Sequence, residues 1–337
     1  MTRTLRLHAG DNVVVAVDPI TPGTGVEGAV ASARVPRGHK MAVRAIADGE
    51  PILKFGQIIG FAAGPIAPGD WVHEHNVAMR DFARDYRFAE AAGAEDLLPP
   101  GARATFEGYR RSNGRVGTRN YIGILTSVNC SATSARFMAQ AIERSGVLSD
   151  YPNVDGVIPL VHGGGCALDV KGEGYDILAR TQWGYATNPN MAAVIMVGLG
   201  CEGFQIARWK DLYGIEEGER FRTFTIQEVG GTKKTVEAGV AAIREMLPAA
   251  NAARRETVPA SELMLALQCG GSDGYSGITA NPALGASVDV LDRHGGTAIL
   301  TETPEIYGAA HLLTRRAATR EVGATLVGMI RWWEDYT

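Results

Sequence analysis

The chain has 337 residues, 45% hydrophobic and 21% charged, with a formal net charge of −4. That composition supports a sizeable core and about two domains, and the mild acidity without any run of like charge excludes nucleic-acid binding as the main role. No stretch has the apolar length of a membrane helix, and MTRTLRLHAGDNVVVAV lacks the features of a signal peptide. A cytoplasmic protein with reduced thiols and no membrane or nucleic-acid partner is expected.

Residues 1–80 read as a small all-β unit, in which short apolar runs (NVVVAV, MAVRAI, PILKFGQIIG) alternate with the turns PGTG, RGHK, DGE and PGD. Residues 78–95 read as a short helix, and 81–114, with its Pro-Pro pair, as a linker. From Tyr121 the pattern becomes strand, loop, helix, repeated. YIGILTSV precedes the helix-like ATSARFMAQAIERSG, and TKKTVEAGVAAIREML places Val236, Val240 and Ile243 on one helical face. The stretch 248–260 reads as a second linker. Alternation of this kind predicts α/β units with parallel sheets and Gly-rich strand-end loops over 115–250 and 260–337, following the small N-terminal all-β domain.

The four cysteines share one kind of position. Cys130 follows YIGILTSVN, Cys166 ends VIPLVHGGG, Cys201 follows VIMVGLG, and Cys269 follows LMLALQ. Loops at the carboxyl ends of parallel strands line the ligand crevice, so these thiols are candidates to hold a soft metal or polarise a substrate. The competing reading is packing, because cysteine behaves as a small apolar residue.

In HGGGCALD, Gly163, Gly164 and Gly165 separate His162 from Cys166, and their backbone N–H groups suit a carboxylate or oxyanion. In CGGSDGYSGITANP, Ser272, Asp273, Ser276, Thr279 and Asn281 crowd one loop and helix start, a density of hydroxyls and amides that suits a polyhydroxylated substrate. Arg115 and Arg119 precede the first strand of the second unit, and arginine pairs bidentately with carboxylates. In the N-terminal unit, GHK supplies His39 and Lys40, and WVHEHN supplies His73 and His75. Two histidines two apart on a strand face the same way, as paired metal ligands do. Glu302 and Glu305 follow a strand, and either is a candidate base or ligand.

With these motifs in view, the chain resembles the altronate/galactarate dehydratase family, which also contains sulfolactate sulfo-lyase. GHK and VHEHN look like its N-terminal SAF-type β-clip domain. GRVGTRNYIGIL, HGGGC, GLGCE, CGGSDGYSGITANPALG and GGTAILTETPEIYGA look like its main-domain motifs, in the family's order. The resemblance implies a cytoplasmic hydro-lyase that eliminates water from a sugar acid, an altronate-like aldonate or a galactarate-like aldarate, to give a 2-keto-3-deoxy acid. It implies a divalent metal, Fe2+ or Mn2+, and places Cys130, His162, Cys166, Cys201, Cys269, Ser272, Asp273, His39, Lys40, His73 and His75 around the site. Three of the cysteines holding an iron–sulfur cluster is an alternative. The base stays open among His162, Lys40, Glu302 and Asp273, with Arg119 or the His162 loop on the substrate carboxylate. The rival functions are a C–S lyase of the sulfolactate type and a non-catalytic sugar-acid binding module. Ala167 departs from the family's usual glycine. Members also continue well beyond RWWEDYT, so the expectation is a fragment, a partner chain supplying the remainder, or a lost activity; a homo-oligomer is a separate expectation.

Overall fold

The computed structural model describes residues 2–93 and 96–337. The chain divides into two compact units, Met1–Ala102 with Met264–Thr337, and Arg103–Leu263. Helices and sheets are mixed, some sheets are parallel, and the N-terminal region is built from sheets alone.

In the first unit, β1 (Thr4–Leu5), β2 (Val13–Ala16), β3 (Gly25–Val26), β4 (Ala29–Val30), β5 (Lys40–Ala42), β6 (Pro51–Lys54), β7 (Gln57–Ala62), β8 (Trp71–Val72) and β9 (Val77–Ala78) form short antiparallel sheets ordered β1-β2-β5-β8, β3-β4 and β6-β7-β9. Successive side chains of a strand face opposite ways. Val14 and Met41 accordingly join one buried cluster, and Val13 and Ala42 the other. Buried polar groups tie β2 to the β6–β7 hairpin. Asp11 accepts from the N–H groups of Phe55 and Gly56 at 2.8 and 2.7 Å, and Asn12 bonds the Pro51 carbonyl and the Leu53 N–H.

The second unit begins with β10 (Thr105–Arg110) and β11 (Val116–Gly117), then β12 (Tyr121–Thr126), α1 (Ala132–Arg144), β13 (Gly156–Leu160), α2 (Glu173–Ala186), β14 (Met191–Gly198), α3 (Ile206–Tyr213), β15 (Phe221–Thr225), α4 (Ile226–Val229), α5 (Thr232–Asn251) and β16 (Glu256–Pro259). Its parallel sheet runs β13-β12-β14-β15. All eight residues of β14 are buried, as a strand covered on both faces requires. Ile195 and Val197 pack with Met138, Ile142, Ile243 and Met246 from α1 and α5. Val194 and Met196 pack with Tyr175 of α2 and with Phe204 and Trp209 at α3. The chain then returns to the first unit with β17 (Met264–Leu267), α6 (Ala280–Arg293), β18 (Thr297–Leu300), α7 (Ala310–Arg316) and α8 (Arg320–Tyr336), where β17 and β18 form a parallel pair.

Three local expectations change. No helix forms in the described part of 78–95; residues 94 and 95 lie outside the described residues. From Asp81 to Phe88 exposure alternates strictly, with Phe82, Arg84, Tyr86 and Phe88 turned in. That is an extended period of two, and the spacing of Phe82 and Tyr86 also fits a helix face. The segment is held by the Ala89 and Ala91 N–H groups donating to the carbonyls of Thr314 and Arg315 at 3.0 and 2.8 Å. Second, the stretches read as linkers carry structure. β10 lies in 81–114, α5 runs through Pro248 to Asn251, and β16 pairs antiparallel with β10. Third, His73 and His75 are not on a strand. β8 ends at Val72, and the two histidines sit in the turn before β9, so the alternation that put them on one face does not apply.

Among the described residues no helix is long and apolar enough to cross a membrane. Removing a branch from the doubly covered strand exposes how much that sheet carries. Ile195→Ala is expected to cost about 3 kcal/mol by the usual large-to-small cavity penalty, measured by urea unfolding followed with near-UV circular dichroism.

Candidate functional site

In the second unit, three loops leave the carboxyl edge of one sheet after the neighbouring strands β12, β13 and β14. They carry Cys130, Cys166 and Cys201, all exposed. The backbone stitches these loops together. The Asn129 N–H donates to the Gly164 carbonyl at 2.9 Å, and the Gly203 N–H to the Cys166 carbonyl at 2.8 Å. Gly165 has φ +99° and lies against the Ser127 carbonyl where a Cβ would collide, so glycine there is a steric requirement.

His162 is spent on this loop. The Thr126 carbonyl 2.8 Å from Nε2 can only accept, so Nε2 carries the proton, and Nδ1 accepts from the Gly164 N–H at 3.2 Å. Both ring nitrogens are engaged with backbone, which leaves neither as a base in this conformation. Arg119 precedes β12 and therefore stands at the amino end of a six-residue strand whose carboxyl end leads to Cys130, roughly 20 Å away at the usual rise per residue. Its carbonyl accepts from Arg111. Arg119 and the His162 loop, the two alternatives for the substrate carboxylate, therefore lie at opposite ends of β12.

Glu202 was not among the sequence candidates. It is 4% exposed. Its carboxylate accepts from Ser127 Oγ at 2.5 Å, from the Leu199 N–H at 3.0 Å and from the Gly200 N–H at 2.6 Å. Burial alone would raise its pKa, but the bonds from Ser127 and from backbone N–H groups together hold it below the ordinary value. The signal was present in GLGCEG: a Gly-rich turn ending a buried strand leaves amides that need an acceptor.

In the first unit, the CGGSDGYSG loop lies against the GHK turn. Gly38 and Gly274 touch backbone to backbone, with no room for a Cβ on Gly274. The Arg37 guanidinium sits 4.2 Å from the Tyr275 ring centroid. Lys40 on β5 has its pKa lowered by burial and then by the charge of Lys54; among the described residues neither lysine makes an ion pair. His39 Nδ1 accepts from Trp71 Nε1 at 3.2 Å, and its ring lies 5.0 Å from that of His73. Burial, then His73 and Lys40, push the His39 pKa down, so it stays neutral near neutral pH. His75 packs against Trp71 with ring centroids 5.3 Å apart.

Within the loop, Cys269 Sγ is 2.6 Å from Ser272 Oγ and 3.8 Å from Asn281 Oδ1. Asp273 closes a turn. Its Oδ1 accepts from the N–H groups of Ser276 and Tyr275 at 2.7 and 2.8 Å, and these bonds, in that order, lower its pKa. Ser276 Oγ and Thr279 Oγ1 donate to the carbonyls of Asp273 and Tyr275. A cavity of about 260 Å3 opens beside them, lined by Cys269, Asn281, Thr301, Glu302 and Glu305 over an apolar floor that includes Leu284 and Ile306. Glu302 Oε2 is buried at this cavity and has no hydrogen-bond partner. A larger cavity of about 910 Å3, lined by Phe82, Arg84, Tyr307, Trp333 and Glu334 among others, contains none of the sequence candidates.

Among the described residues no three His, Cys, Asp or Glu side chains gather as a ligand group. The thiols of Cys130, Cys166 and Cys201 fit a soft cation in donor chemistry and in their place on linked loops, without closed coordination geometry.

Comparison with known proteins follows the same division of the chain. Residues 2–80 match the altronate/galactarate dehydratase SAF domain, 108–251 the second domain of D-galactarate dehydratase/altronate hydrolase, and 260–337 the C-terminal domain of D-galactarate/altronate dehydratase. Altronate dehydratase of Bacillus subtilis (strain 168) is 35% identical over 341 residues, covering 98% of this chain and 66% of the relative. Galactarate dehydratase (L-threo-forming) of Escherichia coli (strain K12) is 37% identical over 341 residues, covering 98% and 65%. The (2R)-sulfolactate sulfo-lyase subunit beta of Chromohalobacter salexigens is 35% identical over 221 residues, covering 65% and 51%. The chain thus spans a little under two thirds of the length of the first relatives it matches.

The buried carboxylate generates a pH signature. A depressed pKa stabilises the fold above the unfolded value, about 4.3 for glutamate, and that stability disappears as pH falls through the lower folded value. Glu202→Gln is expected to cost about 2 kcal/mol at pH 7, because an amide donor then faces amide donors. It should also flatten the acid limb of the stability profile, as read by urea midpoints across pH.

Proposed function

The chain belongs to the altronate/galactarate dehydratase family, and from that premise we propose that it takes part in eliminating water from a sugar acid, an aldonate or aldarate, to give a 2-keto-3-deoxy acid. The observation that carries this reading is the cavity beside the CGGSDGYSG loop. It joins an unpartnered buried carboxylate oxygen of Glu302 to Cys269 and Asn281. Such a set suits a small polyhydroxylated acid, with few polar groups fixing orientation above an apolar floor.

The chemistry asks for a base at C2 and an acid at the 3-hydroxyl. Glu302 is proposed as the base, from its place in the cavity lining and the missing partner on its Oε2. The electron pair freed at C2 forms the C2–C3 double bond as the 3-hydroxyl leaves with a proton, and the enol tautomerises to the ketone. Asn281 and Ser272 are proposed to hold substrate hydroxyls. Lys40 is the second proton-handling group of this unit, because burial and Lys54 make its ammonium an easier donor than an ordinary lysine. Separately, Cys130, Cys166 and Cys201 are proposed as donors to a divalent cation, Fe2+ or Mn2+, whose positive charge is of the kind that stabilises an enediolate.

Turnover on altronate, galactarate and sulfolactate separates the readings. The proposal expects 2-keto-3-deoxy acid from altronate or galactarate, reduced at least about 100-fold in kcat by Glu302→Gln, as for loss of a general base. Sulfite release from sulfolactate would move the assignment to a C–S lyase, as in one relative. Equal sugar-acid binding by wild type and Glu302→Gln, with no turnover by either, would make the cavity a binding site only. Independently, Co2+ added anaerobically should give thiolate-to-metal charge-transfer absorption that Cys166→Ser removes; an unchanged spectrum counts against those thiols as ligands.

A further inference from the structure

The second unit carries unbalanced positive charge at the sheet edge opposite the cysteine loops. Arg111 directly follows β10, and Arg220 directly precedes β15. Arg111 Nε donates to the Pro189 carbonyl at 2.7 Å and Arg220 Nε to the Ala192 carbonyl at 2.8 Å, which fixes both guanidiniums at the amino end of β14. Arg111 is half-buried, and burial, then the charge of Arg220, push its pKa down. Among the described residues neither arginine makes an ion pair, whereas Arg110 is paired with Glu256 and Arg222 with Glu245. Arg111 has the Tyr109 ring 5.5 Å away, but Arg255 shares that ring at 4.4 Å. Two guanidiniums held close without a carboxylate repel each other, and burial adds to the cost. Arg111 spends Nε and Nη2 on carbonyls, and Arg220 only Nε, so terminal N–H groups remain on both.

A cavity of about 260 Å3 opens at this pair. Arg111 and Arg220 line it with Ser112 and Asn188, and Trp183 and Phe221 form part of its wall. Among the described residues no Asp or Glu lines it; the neighbouring cavity that shares both arginines has Glu219 in its wall. We propose that the first cavity is a second ligand site, for a small organic anion whose carboxylate or phosphate is held by Arg111 and Arg220 and whose apolar body lies against Trp183 and Phe221. Arginine forks match both anionic groups, and the volume suits a ligand below drug size. The site lies the length of β14, roughly 23 Å at the usual rise per residue, from the loop bearing Cys201. The proposal does not depend on the reaction assigned above.

The test is calorimetric titration of the 337-residue chain with phenyl phosphate, benzoate and inorganic phosphate at one fixed ionic strength. Phenyl phosphate or benzoate should bind saturably, the tighter of the two naming the anionic group. Arg220→Gln should weaken that binding at least about tenfold, as for a lost charged hydrogen bond. Arg222→Gln, which removes a nearby arginine already paired with Glu245, should change it by less than about twofold. The bound probe should also alter tryptophan emission, and Trp183→Phe should remove that response. No binding of either aromatic probe, equal losses from Arg220→Gln and Arg222→Gln, or a response that survives Trp183→Phe overturns the proposal. Inorganic phosphate binding as tightly as phenyl phosphate marks an adventitious ion only and overturns it as well.

Discussion

Parallel strands of apolar composition carry side chains on both faces, so they occur almost only where something covers both. The central sheet meets this condition through α1 and α5 on one face and α2 and α3 on the other. Its strands are held rigidly, and their carboxyl ends can therefore present loops with defined backbone geometry. The loops bearing Cys130, Cys166 and Cys201 inherit their positions from that burial, stitched by bonds between Asn129 and Gly164 and between Cys166 and Gly203.

How much of this was legible in the sequence depended on how many neighbours decide each element. β12, α1 and α5 were readable because apolar runs and helical spacing bounded by polar or Gly-rich turns fix the period, whereas α3 was not read from the sequence. The N-terminal sheets were readable as a set because PG and DG turns punctuate them. The stretch 81–88 was ambiguous: Phe82 and Tyr86 fit a helix spacing, and only the presence of Phe88 and the packing partners on α7 select the extended form. β10 and β16 lie about 150 residues apart in the chain, and their short runs gain meaning only from each other. Cys269, Asn281 and Glu302, each singled out in the sequence, line one cavity. Glu202 ends the GLGCE motif but was not singled out, because its role comes from amides at a strand end and not from a side-chain pattern.

Hydrogen-bond accounting then sorts residues that the sequence treats alike. His162 and Asp273 have the residue types of catalysts, yet both ring nitrogens of His162 and Oδ1 of Asp273 are committed to backbone groups that shape their own loops. Glu202 is a buried carboxylate with every nearby amide satisfied, so protonating it would break bonds and gain none. Glu302 is the opposite case. Its Oε2 is buried without a partner. Lys40 carries a charge that burial and Lys54 both oppose, so losing its proton is favoured. In each pair the difference lies in what the folded chain has left unspent, which residue identity and spacing alone do not encode.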